Sequence, residues 1–375
     1  MKVAIVHPWF PQYRERFFEL LVTQARNKGI TIDVFHGSPP PKWGERGDSV
    51  LNPIAKPLNT RFFRLGDKNL VLKSLAEMNP LSAYDLVIVE HAVRNIETYR
   101  LIFGKFRARV AFWGHGKTYT ETAGGRQEAL KRWLAAHGAW FFAYTDGGSK
   151  AVAAIGFDPD RITVVQNAID THALAAAIDD ITPAELEKFK LTHALTVKTA
   201  LFIGGLDDAK RLPFLIQAAV AARKLDDDFR LLVVGNGALA PLIESVAREH
   251  DWLVYLGALF GRDKALAMKS AMVLAMPGRV GLVAVDSFAA RTPIVTTDWS
   301  LHAPEFEYLK NSVNSVITAN EPNEYARELI SLMNNTELLR SLERECESDA
   351  QIFTVESMAS NFLQGIEKFR ERARR

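Results

Sequence analysis

Two stretches of this chain carry the residue types needed to hold a phosphate. Residues 204–211, Gly-Gly-Leu-Asp-Asp-Ala-Lys-Arg, follow the apolar run TALFIGG (199–205) and precede helical spacing from Leu212 to Arg223. Lys210 and Arg211 therefore stand on a glycine-led loop that opens a helix. A lysine there can neutralise a leaving diphosphate, or it can be a solvated cation at a helix start. In the second stretch, PGRVGLVAVDSFAARTPIVTTD (277–298), the apolar run MVLAMP (272–277) ends in a loop containing Gly278 and Gly281. A short helical segment and the strand-like PIVTT follow. Strand, glycine loop, helix and strand make a βαβ unit. Its loop meets a helix N-terminus, where unpaired N–H groups and the helix dipole favour an anion. Asp286 lies one turn further in, within reach of a sugar hydroxyl, so the stretch reads as a docking place for a sugar nucleotide. Its helix is otherwise apolar, and a carboxylate in such surroundings has a partner.

Other candidates fall in the first half. His115 stands between Gly114 and Gly116 at the end of ARVAFWGHG (108–116), where glycines let a ligand approach the backbone. Glu90 and His91 end DLVIVEH (85–91), and His7 ends KVAIVH (2–7). These side chains lack metal-ligand spacing. Tyr13, Arg14, Arg16, Phe17 and Phe18 form a basic-aromatic helix start that suits a phosphate-bearing or lipid-linked acceptor, or simply core with a solvated face.

The elements that position these groups are short apolar strands alternating with helical patterns. In the first half the strands are 2–7, 31–37, 85–91, 108–116, 139–145 and 162–170, with helices clearest at 126–138 and 147–155. Residues 38–60, with five prolines and Trp43, read as a loop. A connector at 171–195 contains a helix from Pro183 to Lys190. The alternation then restarts with 199–205, 229–237, 252–257, 272–277 and 293–297, and residues 322–375 are helical. This order predicts an α/β chain of two doubly wound Rossmann-like domains facing across a cleft, with ligands at the carboxyl ends of the strands. The expected bounds are 1–170, 171–355, and a closing helix 356–375 that returns to the first domain.

At 375 residues the chain suits two domains. A single cysteine, Cys346, excludes an intrachain disulfide and a multi-cysteine metal cluster, and fits a reducing compartment. The start, MKVAIVHPWF, lacks the shape of a signal peptide, and no apolar run approaches the ~20 residues of a membrane span. Residues 1–170 hold 23 Lys+Arg against 16 Asp+Glu, a balance of +7, while residues 171–375 hold 23 against 28, or −5. A basic first half suits an anionic membrane face or a phosphate-bearing acceptor. Nucleic acid is not an expected partner.

Taken together, these motifs resemble the retaining glycosyltransferases of family 4, which have the GT-B fold and commonly build bacterial cell-surface polysaccharides, exopolysaccharide or lipopolysaccharide. The resemblance spans residues 1 to about 370 and is strongest from 199 to 318. LFIGGLDDAKRLPFLIQAA is similar to the family segment carrying the diphosphate-binding lysine, which falls on Lys210. FWGHG resembles its histidine loop facing the transferred sugar, VVQNAID its Asn-Gly-Val-Asp hinge, and HAPEFEYLKNSVNSVIT the segment after the second βα unit. The chain departs from the family at three positions. The first of two glutamates eight apart is Gly278 here, the second is Asp286, and an arginine five before the lysine is Gly205. Arg211 or Arg279 is expected to supply the missing positive charge.

The resemblance implies transfer of a hexose or deoxyhexose from a nucleoside-diphosphate sugar to a glycan or lipid-linked glycan, with retention, no metal and no bound cofactor. Lys210 and the backbone of Gly204, Gly205 and the loop Gly278, Arg279, Val280, Gly281, Leu282 would hold the diphosphate. Asp286 would hold the ribose, Tyr255 and Leu256 would meet the base, and His115 would meet the sugar. The acceptor would lie near Tyr13, Arg14, Glu90 and His91, and domain closure would exclude water. The expected place of work is the cytoplasm, at the membrane face. A non-catalytic sugar-nucleotide-binding partner is the competing reading, favoured by Gly278 and Gly205. An epimerase of the same fold would need a cleft carboxylate where Gly278 stands. A dehydrogenase lacks its G-x-G-x-x-G.

Overall fold

The computed structural model describes residues 1–39, 52–66, 68–119 and 125–374, so Trp43 and most of the proline-rich stretch lie outside the described residues. The chain divides into two compact units, Met1–Asp170 with Val355–Arg375, and Thr171–Thr354.

In the first unit the apolar runs become strands β1 (Lys2–His7), β2 (Thr31–His36), β3 (Ala55–Pro57), β6 (Leu86–Glu90), β7 (Val110–Gly114), β8 (Trp140–Ala143) and β9 (Ile162–Val164), after an interposed hairpin of β4 (Thr60–Leu65) and β5 (Lys68–Lys73). The seven form one parallel sheet in the order β3-β2-β1-β6-β7-β8-β9. Val3, Ala4 and Ile5 of β1 are wholly buried, as a strand covered on both faces requires. Helices α1 (Glu15–Asn27), α2 (Ile96–Phe103), α3 (Gly125–Ala136) and α4 (Asp146–Ala154) make the crossovers.

The chain's last helix, Val355–Arg374, belongs to this unit. Val355, Met358, Ala359, Phe362, Leu363, Ile366 and Phe369 give it one buried stripe at helical spacing. Phe362 stacks on Phe142 at 4.3 Å and 10°. Gly365 lets the helix approach, since a Cβ there would lie 2.6 Å from both Phe142 Cε1 and Thr163 Oγ1.

The hairpin has no counterpart in the sequence reading. It is tied down by a buried ion pair, with Lys73 Nζ donating to Glu97 Oε1 at 2.7 Å and Lys73 N–H to Glu97 Oε2 at 3.1 Å.

The second unit opens with α5 (His172–Asp179) and α6 (Pro183–Thr192), the latter closed by a Thr182–Glu185 capping box. Its strands are β10 (Thr199–Ile203), β11 (Arg230–Val234), β12 (Leu253–Tyr255), β13 (Val273–Ala275), β14 (Ile294–Thr297) and β15 (Ser315–Thr318). They form a parallel sheet in the order β12-β11-β10-β13-β14-β15. Its remaining helices are α7 (Leu212–Leu225), α8 (Ala240–Glu249), α9 (Gly261–Ser270), α10 (Val283–Ala290), α11 (Pro322–Asn334) and α12 (Thr336–Ala350). Both units are doubly wound Rossmann-like α/β layers, as the alternation predicts. Among the described residues, no helix is long and apolar enough to cross a membrane.

Each sheet has one topological switch point, where successive connections depart in opposite directions and leave a crevice at the strands' carboxyl ends. In the first unit it lies between β1 and β6, and in the second between β10 and β13.

Candidate functional site

The switch point of the second unit brings together the two glycine loops singled out in the sequence. The loop after β10 ends in a short 3-10 turn, Asp208–Lys210, and Arg211 takes left-handed backbone angles of φ 55° and ψ 44° to enter α7. The loop after β13 lies against it. Arg279 N–H donates to the Ala209 carbonyl at 2.9 Å, and Lys210 Nζ donates to the Arg279 carbonyl at 2.7 Å. Gly278 makes this possible through space alone. A Cβ there would lie 2.4 Å from both C and O of Lys210 and 2.7 Å from the Ala209 carbonyl. The glycine where the resembling family has a glutamate is thus packed backbone to backbone against the lysine loop.

Both expected cations sit at this edge. Arg211 donates to the Pro277 carbonyl at 3.2 Å and to Thr297 Oγ1 at 3.4 Å, with its guanidinium over Phe214 and Trp299 at 4.3 and 5.2 Å. Burial lowers its pKa from the usual arginine value. Arg279 Nε donates to the Leu301 carbonyl at 3.3 Å. Asp286, one turn into α10, has a partner as its apolar helix required: Lys264 of α9, at 2.8 Å. Tyr255 ends β12, and its hydroxyl donates to the Gly235 carbonyl at 3.0 Å. Gly204 N–H donates to the Val234 carbonyl at 3.0 Å and Gly235 N–H to Gly257 at 2.7 Å, so the loops that follow β10, β11 and β12 are joined at one edge. Gly205 and Leu256 lie in the loops after β10 and β12, and Gly281 and Leu282 in the loop after β13.

Two residues that the sequence reading did not assign lie against the second loop, and one of them bonds it. His302 accepts the Val280 N–H at Nδ1 (3.0 Å) and places Nε2 2.9 Å from the Thr297 carbonyl, which fixes the proton on Nε2. It stacks on Phe306 at 4.0 Å and 3°. Burial, with the cations Lys210, Arg211 and Arg279 nearby, pushes its pKa down to about 4, so it is a neutral strut at pH 7. Glu305, 4% exposed, has Oε2 3.6 Å from where a Gly281 side chain would begin. A histidine and a glutamate shortly after a strand were the available signal, but nothing in their local spacing distinguishes them from loop residues.

In the first unit, Glu90 ends β6 and His91 follows it, while Tyr13 and Arg14 follow β1, so all four are at the switch point. Asn95 donates to Glu90 Oε2 at 3.0 Å. His91 is buried between Phe112 and Phe141, and Nε2 meets the Lys131 carbonyl at 3.0 Å. His7 bonds the Trp9 carbonyl through Nδ1. His115, partly buried, packs on Tyr144 at 4.8 Å. Burial pushes each of these three histidines down to about 3, so all are neutral at pH 7 and fit hydrogen bonding rather than ion pairing. Among the described residues, no three His, Cys, Asp or Glu side chains gather to hold a metal.

The reading of Arg14 as an acceptor-facing residue is corrected. It is 2% exposed, and its two terminal guanidinium nitrogens donate internally, to Asn167 Oδ1 at 2.6 Å, the Ala168 carbonyl at 3.2 Å and Met358 Sδ at 3.4 Å. It stands among Tyr13, Phe17, Trp113 and Tyr144. It therefore braces the segment 167–168 and the last helix, while Tyr13 beside it is 38% exposed.

Comparison with known proteins follows the same division. The family model "Glycosyl transferases group 1" matches residues 197–335, the segment that carries both glycine loops. A phosphatidyl-myo-inositol mannosyltransferase of Mycobacterium leprae is 30% identical over 143 residues, which span 37% of this chain and 38% of that relative's own length. Two solved structures extend the likeness to the whole chain. HepE of Anabaena in complex with UDP matches at a TM-score of 0.66 and 15% identity, covering 98% of this chain and 100% of its own. Sucrose-phosphate synthase of Thermosynechococcus elongatus matches at 0.69 and 15%, covering 99% and 100%. At such identities the likeness shows the fold: two Rossmann-like domains, the GT-B architecture.

Proposed function

We propose that this chain is a retaining glycosyltransferase of family 4 type, moving a hexose or deoxyhexose from a nucleoside-diphosphate sugar to a glycan or lipid-linked glycan in polysaccharide biosynthesis. The observation that carries the reading is Lys210, pinned by the Gly278–Arg279 loop at the switch point of the sheet, inside the segment that matches the glycosyl transferase model. The UDP in the HepE structure and the mannosyl transfer named for the mycobacterial relative support a sugar-nucleotide donor.

In this reading Lys210, Arg211 and Arg279 gather positive charge where the leaving diphosphate develops negative charge, and preorganised cations lower that barrier without a metal. Asp286 accepts from the ribose while keeping Lys264, and the backbone at Tyr255-Leu256 meets the base. His115, neutral, hydrogen-bonds the donor sugar. Tyr13 and Glu90 serve the acceptor, with His91 buried behind them on the Lys131 carbonyl rather than facing it, and the donor phosphate takes the acceptor proton, so no strong protein base is assigned. Contact with an anionic membrane face belongs to the same proposal.

The test is calorimetric titration of UDP, GDP and their sugar adducts, without metal, into the full chain and into Lys210→Ala. Binding of one nucleotide that is lost in the variant supports the reading and fixes the donor class. Nucleotide binding without sugar transfer to any acceptor turns the reading toward a non-catalytic partner. No binding at millimolar concentration overturns the donor site. The anomeric configuration of the product, followed by NMR, tests retention.

A further inference from the structure

The amino edge of the first unit's sheet, at the opposite strand ends from the residues discussed above, holds a cavity of about 660 Å³. Lys105 and Arg107 reach it from the segment before β7, His137 from the turn before β8, and Arg161 from the turn before β9. Phe369 and Arg372 of the last helix close the other side. Four cations thus line one cavity and no carboxylate does. Asp158, just outside, accepts from Arg372 at 3.1 Å and lies 3.4 Å from Arg161. It answers two of the four charges. Lys105 and Arg107 have no ion-pair partner among the described residues. His137 points Nδ1 at the Trp133 carbonyl, 2.7 Å away, and so keeps Nε2 for the cavity.

Like charges gathered around one space raise each other's energy unless an anion shares them. Guanidinium forks match phosphate oxygens in geometry as well as charge. The volume is that of a small-ligand pocket, too large for a lone ion. Beside it, His137 stacks on Trp133 at 4.2 Å, and Trp133 meets Phe103 at 5.7 Å. Phe103 is 74% exposed, so an aromatic ladder leads from the cavity to open surface. The basic end of the sequence, Arg-Glu-Arg-Ala-Arg-Arg, gains a use here, since it delivers Arg372 to the cavity wall.

We propose that this cavity is a second ligand site, taking a phosphate ester of at least two negative charges, independent of the donor site in the other unit. Two sources offer that chemistry, a soluble phosphate ester and the headgroup of an anionic lipid whose chain would follow the Phe103 ladder.

Inorganic pyrophosphate is titrated into the full chain carrying Lys210→Ala, with and without Lys105→Gln, Arg107→Gln and Arg372→Gln. The expected result is a roughly tenfold or greater loss of affinity on adding the three substitutions, at an unchanged melting temperature. Lys105→Glu with Arg107→Glu, two exposed and unpaired positions, is the second variant and is expected to abolish binding. Sedimentation with phosphatidylglycerol and with phosphatidylcholine vesicles separates the sources. Binding to the anionic vesicles alone, displaced by pyrophosphate and lost in both variants, assigns a lipid headgroup. Pyrophosphate binding without vesicle binding assigns a soluble ester. Equal affinity for pyrophosphate and vesicles with and without the substitutions, or binding of neither probe, overturns the proposal.

Discussion

Replacing Gly278 by alanine tests the contact on which the proposed donor site rests. The new Cβ would lie 2.4 Å from the Lys210 carbonyl group, about 1 Å inside ordinary van der Waals separation. The two loops must therefore part by about that much. Two hydrogen bonds cross the contact, one neutral, Arg279 N–H to Ala209 at 2.9 Å, and one charged, Lys210 Nζ to Arg279 at 2.7 Å. A neutral bond contributes about 1 kcal/mol and a charged one about 1.5–3 kcal/mol. Alanine returns about 0.4–1 kcal/mol by restricting the unfolded chain. The net loss is about 2–3 kcal/mol, a fall of roughly 5–10 °C in the melting temperature of a unit this size. Lys210 loses its anchor, so nucleotide affinity measured by calorimetry falls as well. Gly278→Glu, which restores the residue found in the resembling family, meets the same clash and is expected to lose stability and binding rather than regain activity. The reasoning is refuted if Gly278→Ala melts with the wild type and binds the nucleotide equally well.

Glu97→Gln leaves the buried Lys73 ammonium without its counter-charge and should cost about 3–5 kcal/mol in urea unfolding, most of it recovered by Lys73→Met with Glu97→Leu; a double variant as unstable as the sum of the single ones refutes this. His7 and His91 have pKa values lowered from 6.5 to about 3 by burial. The unfolded chain therefore takes up their protons first, and stability, complete above pH 6.5, is lost as pH falls toward 3, by up to about 1.4 kcal/mol per pH unit for each. His91→Leu should remove one proton from that slope between pH 4 and 6, and an unchanged slope would place the proton elsewhere. Gly365→Ala forces the last helix away from Phe142 and Thr163 and should cost about 1–3 kcal/mol of the first unit's stability, a result negated by a melting curve that superimposes on the wild type.

Most strands were legible because a parallel sheet buries both faces and so writes each strand as an unbroken apolar run. KVAIVH, TALFIGG and FRLLVVGNG yielded β1, β10 and β11 with their following loops. The hairpin Thr60–Lys73 was not legible. TRFFRL and KNLVLK mix charge into every other turn of sequence, and what secures them is the ion pair from Lys73 to Glu97, twenty-four residues away. α5 was hidden in the connector because HALAAAID lacks the polar face that marks an amphipathic helix. At the site, Lys210 and the glycine loops could be found from local order. That Gly278 touches Lys210, that His302 bridges Val280 to Thr297, and that Asp286 keeps Lys264 depends on which loops the strand order makes neighbours, and no short window contains that order. Arg14 was misplaced for a related reason. A basic-aromatic cluster reads alike whether its guanidinium faces water or a ring of buried acceptors.

The last helix completes a unit that began at residue 1, while the 171–354 unit is continuous in sequence. Arg14 waits for Met358 across 344 positions. During synthesis the later unit can therefore close first, reversing the usual order in which domains leave the ribosome. Until residues 355–374 emerge, Phe142, Phe17 and Trp113 lack the ring of Phe362 that covers them. The nascent first unit carries an open aromatic face for that interval. It is the part of the chain with most to gain from a chaperone and most to lose from truncation before Val355.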